Sequence, residues 1–138
     1  MDLAEARRRF ADARVARLAT VRPDGSPHIV PVVFALEGDT LSFAVDEKPK
    51  RSPRLQRLAN VEYEPRVSAL VDAYEEDWSR LWWVRVDGRA DIVAEGPDLE
   101  RIQRALAVKY VVYRDRPPPG PAVMFRIERW RFWPQDGL

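Results

Sequence analysis

Ala16-Arg17-Leu18-Ala19-Thr20-Val21-Arg22-Pro23-Asp24-Gly25-Ser26-Pro27-His28-Ile29-Val30-Pro31-Val32-Val33-Phe34 contains the turn that decides the fold. Pro23 pre-sets its own φ, and Gly25 supplies a conformation closed to residues with a Cβ, so Arg22-Pro23-Asp24-Gly25 reverses the chain. The runs on either side, 14–21 and 27–36, are rich in β-branched residues and read as two antiparallel strands of a hairpin. In the second run Val30, Val32, Phe34 and Leu36 share one face, while Ile29, Val33 and Ala35 share the other. Apolar residues on both faces predict a strand buried on both sides.

Outward from this hairpin the elements follow in order. Leu3, Ala6, Phe10 and Ala13 recur at helical spacing, so residues 2–13 read as an amphipathic helix. Glu37-Gly38-Asp39 turns the chain into a third strand, 40–46. Ser52-Pro53 has the form of a helix start, with Leu55, Leu58 and Ala59 facing inward, and Glu64-Pro65 ends that helix. Strands follow at 67–74 and 81–93. Gly96-Pro97-Asp98 opens another helix with Leu99, Ile102, Leu106 and Tyr110 on one stripe. Pro117-Pro118-Pro119-Gly120-Pro121 is a stiff connector, and residues 122–133 form a sixth strand. Close-spaced strands with helices only between some of them are no βαβ repeat. The expectation is a mainly β chain with peripheral helices: a six-stranded antiparallel barrel.

At 138 residues the chain is expected to be one domain, residues 1–138. It has no cysteine and one histidine, His28, which excludes disulfides, iron–sulfur clusters, cysteine nucleophiles and His-rich metal sites. A net charge of +1 gives no global field for nucleic acid or an anionic membrane. The charged N-terminus lacks the apolar run of a signal peptide, and no segment reaches membrane-spanning length, so a cytoplasmic location is expected. Neither a G-x-S-x-G elbow, a G-x-G-x-x-G fingerprint nor a P-loop is present.

The chemistry concentrates elsewhere. Lys48-Pro49-Lys50-Arg51-Ser52-Pro53-Arg54 sets four cations before and at the start of the predicted second helix. A helix N-terminus favours negative charge, so this is the wrong sign unless an anion docks there, held by the helix end and the basic side chains together. A phosphate is the natural candidate; a solvated charge run is the alternative. His28 has no evident partner and reads as structural before catalytic. Trp82, Val84 and Val86 share one strand face, and Trp83, Arg85 and Asp87 the other. Aromatics on both faces imply cover on both, from a barrel interior or a dimer interface. Trp78, in the polar stretch 75–80, is the better candidate to line a pocket.

The hairpin quoted above resembles the opening of the pyridoxamine 5′-phosphate oxidase-like, FMN-binding split barrels. The Lys48–Arg51 patch, Pro65-Arg66-Val67-Ser68-Ala69-Leu70-Val71 and Trp82-Trp83-Val84-Arg85-Val86-Asp87-Gly88-Arg89-Ala90 agree with that family. Together with Asp77-Trp78-Ser79-Arg80-Leu81 they look most like its actinobacterial branch of F420-dependent enzymes. The resemblance implies a split-barrel homodimer with a cofactor in each cleft between subunits. Lys48, Lys50 and Arg51 would hold its phosphate. Val32, Val33 and Phe34, with Val45 and Asp46, would lie along its tricyclic ring, and Trp78 would cap the site from its own chain or the partner. Arg54 and Arg57 would suit the longer anionic tail of F420 better than FMN. The implied activity is hydride transfer between the reduced deazaflavin and a small unsaturated substrate. FMN in the same cleft, and a non-catalytic cofactor or haem carrier with His28 as its one imidazole, are the competing readings.

Overall fold

The computed structural model describes residues 1–45 and 56–136. The hairpin forms as read: β1 (Ala16–Val21) pairs with β2 (Pro27–Val32), from Val21 opposite Pro27 to Ala16 opposite Val32. Gly25 takes φ +86°, and Asp24 caps the turn by accepting from the Ser26 amide at 2.9 Å. The remaining strands are β3 (Ala35–Glu37), β4 (Thr40–Ala44), β5 (Arg66–Ala73), β6 (Trp82–Val93) and β7 (Ala122–Trp133). Every pairing is antiparallel, and the seven strands form one sheet in the order β2-β1-β5-β6-β7-β4-β3.

That order dictates the shape. β2 and β3 stand at opposite edges of the sheet, yet only Val33 and Phe34 join them. Three Cα steps reach at most about 11 Å, whereas six strand spacings on a flat sheet would separate the edges by roughly 29 Å. The sheet therefore curls until its edges approach, giving a split barrel.

The same geometry corrects the strand count from six to seven. Residues 27–36 do not run as one strand buried on both sides; the chain leaves one edge at Val32 and joins the other at Ala35. Burial along β2 alternates, and Ile29 is 65% exposed in the single chain. The third predicted strand also ends at Ala44, short of residue 46.

Inside the curl, Leu18, Val32, Phe34, Leu41, Phe43, Val84, Val86 and Phe125 form the main core. α1 (Leu3–Asp12) closes one end with Ala6 and Phe10, its Asp2 cap accepting from the Glu5 amide. Phe10 packs on Phe34 and on the edge of Trp130 at 5.2 and 5.7 Å between ring centres. α2 (Gln56–Tyr63) adds Leu58 and Val61. A second cluster lies outside the barrel, where Leu99, Ile102, Leu106 and Tyr110 from α3 (Pro97–Lys109) and its end, with Tyr113 from α4 (Val112–Asp115), cover Ala35, Ala44 and Ala122.

Gly88 sits at the irregularity that shifts the β6–β7 register after Asp87. A Cβ there would stand 2.0 Å from the Arg126 carbonyl oxygen, so close approach of the two backbones requires glycine.

Candidate functional site at the barrel rim

The β3–β4 hairpin turns at Gly38, and its open end carries two things: the β2–β3 junction entering, and Val45 leaving. Val32, Val33, Phe34 and Val45 thus share one end of the barrel. Val45 is buried, and its backbone is fixed at both polar groups: its N–H donates to the Pro121 carbonyl at 3.0 Å, and its carbonyl accepts from the Gly120 N–H at 3.1 Å. Phe34 is sealed, and its N–H donates to the Tyr110 hydroxyl at 3.1 Å. That hydroxyl stands 2.9 Å from the Arg14 carbonyl, to which it donates. Val32 is buried as well, so of these four only Val33 keeps appreciable exposed surface. The junction presents shape and one apolar side chain, with its polar backbone atoms committed inward.

Asp46, expected along the ring, and Lys48, Lys50 and Arg51, the predicted phosphate-binding set, lie outside the described residues, as do Arg54 and the helix start at Ser52-Pro53. The described chain resumes at Gln56, at the beginning of α2. Arg57, in the first turn, sets its guanidinium 5.8 Å from the Phe43 ring centre. Gln56 donates to Asn60 at 2.7 Å, and fully buried Asn60 donates to the buried Thr20 hydroxyl at 2.9 Å. A polar relay therefore ties the start of α2 to β1.

His28 stands opposite Thr20 in the β1–β2 ladder. Its Nδ1 is closed off from solvent and has no hydrogen-bond partner among the described residues, although the residue as a whole is only half-buried. Burial first, then the nearby guanidiniums of Arg22 and Arg57, hold its pKa below the ordinary histidine value of 6.5. Arg22 donates to the Pro27 carbonyl at 2.7 Å and to the Ser26 hydroxyl at 3.3 Å, both neutral acceptors.

Trp78 lies far from Val45 along the sheet. It opens a single 3-10 turn, Trp78–Arg80, capped by Asp77, which accepts from the Ser79 amide and hydroxyl at 3.0 and 2.6 Å. The turn enters the start of β6, whereas Val45 follows Ala44, which pairs with Ala122 opposite the far end of β6 at Val93. Those levels are the two ends of the twelve-residue strand β6, roughly 30 Å or more apart along it. Trp78 and Val45 of one chain do not share a pocket, and at 68% exposure Trp78 is open to another molecule.

Two side chains at the rim escaped the sequence reading. Tyr110 was visible as the last apolar position of the α3 stripe, but nothing in the pattern shows that its hydroxyl would hold the β2–β3 junction. Lys109 carries its ammonium 3.7 Å from the centre of the Phe34 ring, buried and without a hydrogen-bond acceptor among the described residues. Burial chiefly, and then Arg14, lower its pKa to about 8, against a smaller raising effect of Asp12.

The family model described as pyridoxamine 5′-phosphate oxidase matches residues 3–134. The chain belongs to this family. Solved structures share its fold at 24% identity or less. A haem-binding protein from Mycobacterium smegmatis superposes with a TM-score of 0.76 at 24% identity, over 97% of this chain and 54% of that one. An FAD-binding protein from Mesorhizobium loti gives 0.72 at 24%, over 96% and 92%. An F420 reductase gives 0.61 at 24%, over 88% and 92%. No curated protein matches in sequence. Three different cofactors in neighbours this distant establish the split-barrel fold and leave the choice of cofactor to the residues of this chain. Among the described residues, no helix is long and apolar enough to cross a membrane.

Proposed function

We propose that this member of the pyridoxamine 5′-phosphate oxidase family is an oxidoreductase that binds a flavin-type cofactor at the rim, with coenzyme F420 preferred over FMN. The observation that carries the reading is the continuity of the rim with the basic segment. In sequence, Lys48, Lys50, Arg51 and Arg54 follow the buried, doubly tethered Val45 and precede Gln56 and Arg57 at the start of α2. An apolar junction at Val32 and Val33, sharing its barrel end with Val45 from which a run of cations follows in the sequence, fits a group that is planar at one end and anionic at the other. The number of cations supports the longer, polyanionic tail of F420 over the single phosphate of FMN.

When bound, the deazaflavin supplies the hydride chemistry. The chain's own share is to hold the anionic tail through Lys48, Lys50 and Arg51, to offer Val33 as an apolar support, and to keep water from the ring. The substrate is a small unsaturated molecule.

The reading includes a homodimer. The outer face of β2, β1, β5, β6 and β7 displays Ile29, Pro31, Ala19, Leu70, Trp83 and Trp133, and a cavity of about 600 Å³ opens between Leu70, Tyr74, Leu81, Trp83 and Trp133. These apolar residues stand among charged ones on the same face, Arg17, Asp72, Arg85 and Arg131, and an apolar patch set within a polar surround suits a partner subunit. In such a pair the exposed Trp78 of one chain would cap the rim of the other, in keeping with its distance from Val45 within one chain.

The test is side-by-side titration of the purified protein with F420 and FMN, followed by visible absorbance and fluorescence. Tighter binding of F420, lost at least tenfold (about 1.4 kcal/mol) in the double variant Lys48→Ala/Lys50→Ala, is the expected result. Binding of neither cofactor would refute the reading. Binding that the double variant leaves unchanged would remove these lysines from the site.

A further inference from the structure

Two cross-strand pairs stand side by side where β6 begins and β7 ends. Trp83 lies directly opposite Trp133, and two residues along Arg85 lies directly opposite Arg131. Alternation along each strand puts all four on the outer face of the sheet, because Val84 and Phe132 between them pack on the core. Strand β5 continues both rows, with Asp72 beside Trp83 and Leu70 beside Arg85. The cavity of about 600 Å³ on this face is lined by Leu70, Asp72, Trp83, Arg85 and Trp133. Small-ligand sites usually span roughly 300–1,000 Å³. Arg131 stands at its margin, opposite Arg85, and the whole lies at the end of β6 away from Val45 and the rim.

The charges in these rows do not balance, even when the next row along (Ala19, Ser68, Asp87 and Arg129) is included. Asp72 accepts from Arg17 at 3.2 Å, and Asp87 accepts from Arg85 at 3.1 Å and from the Ser68 hydroxyl at 2.6 Å. Both carboxylates are thus engaged. Arg129 and Arg131 pair with no carboxylate among the described residues, and the Arg131 guanidinium makes only a long hydrogen bond, 3.5 Å, to the neighbouring Trp130 carbonyl. Two arginines held opposite each other, their Cβ atoms about 5 Å apart, repel. A second copy docked through this face brings the same surplus, since a two-fold contact sets one patch against itself. The indoles are uncommitted too. Arg7 and Arg9 stack over Trp130 and Trp82, whereas no cation or aromatic ring among the described residues stacks on Trp83 or Trp133.

A free aromatic surface beside a cation pair short of negative charge selects its ligand by both features. We infer that this cavity binds a small planar aromatic carboxylate, its ring against Trp83 and Trp133 and its carboxylate between Arg85 and Arg131. The site is built from the residues of one chain and stands independently of the cofactor reading at the rim.

Calorimetric titration with 2-naphthoate tests this, with 2-naphthamide as the neutral ring of the same shape. Both probes are titrated into the intact protein and into Ile29→Glu, so that a cavity roofed by a second copy is also reached in the single chain. The acid should bind about tenfold or more tightly than the amide, the share of one charge-assisted contact. Arg85→Gln/Arg131→Gln should abolish that preference and leave binding of the amide unchanged. Arg131→Gln alone, at an exposed and unpaired side chain, should already remove most of it, so a loss cannot be ascribed to misfolding. Trp133→Ala should weaken both probes severalfold. Failure of naphthoate to bind either protein overturns the inference, as does a preference over the amide that survives both glutamine changes. A preference lost instead in Lys48→Ala/Lys50→Ala would put the carboxylate at the rim and overturn it equally. Binding of F420 or FMN bears on none of these outcomes, so the two readings fail separately.

Discussion

The hydroxyl oxygen of Tyr110 lies 3.1 Å from both the amide nitrogen and the carbonyl oxygen of Phe34, pinning the two-residue link on which the barrel's curl depends. It accepts from the Phe34 N–H and gives its own proton to the Arg14 carbonyl, 2.9 Å away. Tyr110→Phe keeps the ring and its packing but strands the buried amide. The expected cost is ~1–3 kcal/mol of unfolding free energy, the usual penalty of a buried polar group left without its partner. Urea denaturation of the variant measures it. A loss below the resolution of the method would show that the junction is held by packing alone.

Lys109 sets a stability that depends on pH. Its folded-state pKa, about 8, lies below the unfolded value of 10.5, so between those two values the unfolded chain binds more protons than the folded one. Stability therefore rises as pH climbs through that window, and the charged ammonium burdens the fold below it. The Phe34 ring beneath the ammonium offsets part of that burden. Lys109→Met should be more stable than the parent at pH 7 and should flatten the rise between pH 8 and 10. Denaturation midpoints at pH 7, 8.5 and 10 check both statements; a Met variant less stable at pH 7 would mean that the cation–ring contact outweighs burial.

The residues of these two predictions mark where sequence patterning stopped being informative. The β1–β2 hairpin was legible because Pro23 and Gly25 punctuate the chain locally, and α3 because Gly96-Pro97 does the same. The break at Val33-Phe34 carries no such mark. Two apolar residues within an apolar run look like uninterrupted strand, and only Tyr110, 76 residues further along, makes them a crossing between sheet edges. His28 read as solitary for the same reason: Arg57 and Asn60 reach its surroundings from α2, and periodicity records faces within an element, not meetings between elements. Composition did expose the cationic segment, whose charge is written in consecutive residues.

Gly88→Ala tests the β6–β7 irregularity. The added methyl would be forced to within 2.0 Å of the Arg126 carbonyl and 2.8 Å of the Phe125 ring, and the first of these is backbone that can yield only by opening the ladder. The loss should be about 3 kcal/mol or more, at the upper end of overpacking costs. Thermal melting and amide exchange along β6 and β7 are the measurements. A melting temperature unchanged within a degree would show that the bulge relaxes freely.

Ile29 offers a clean test of the proposed subunit contact. It faces outward beside Ala19, is 65% exposed in the single chain, and so contributes little to the chain's own stability. Ile29→Glu places a charge on an apolar patch of the sheet face that the dimer would cover, and by symmetry it does so twice. Val108, 77% exposed on α3 and away from that face, supplies the matched control. Sedimentation of both variants should give a monomer for Ile29→Glu, or a dimer at least 100-fold weaker, and an undisturbed dimer for Val108→Glu, with melting temperatures of the isolated subunits nearly equal. Because the rim is completed by the partner's Trp78 in this arrangement, cofactor affinity should fall with the dimer in the first variant and hold in the second. An Ile29→Glu protein that stays dimeric would move the contact off this sheet face, and with it the reason for assigning Trp78 to the partner's site.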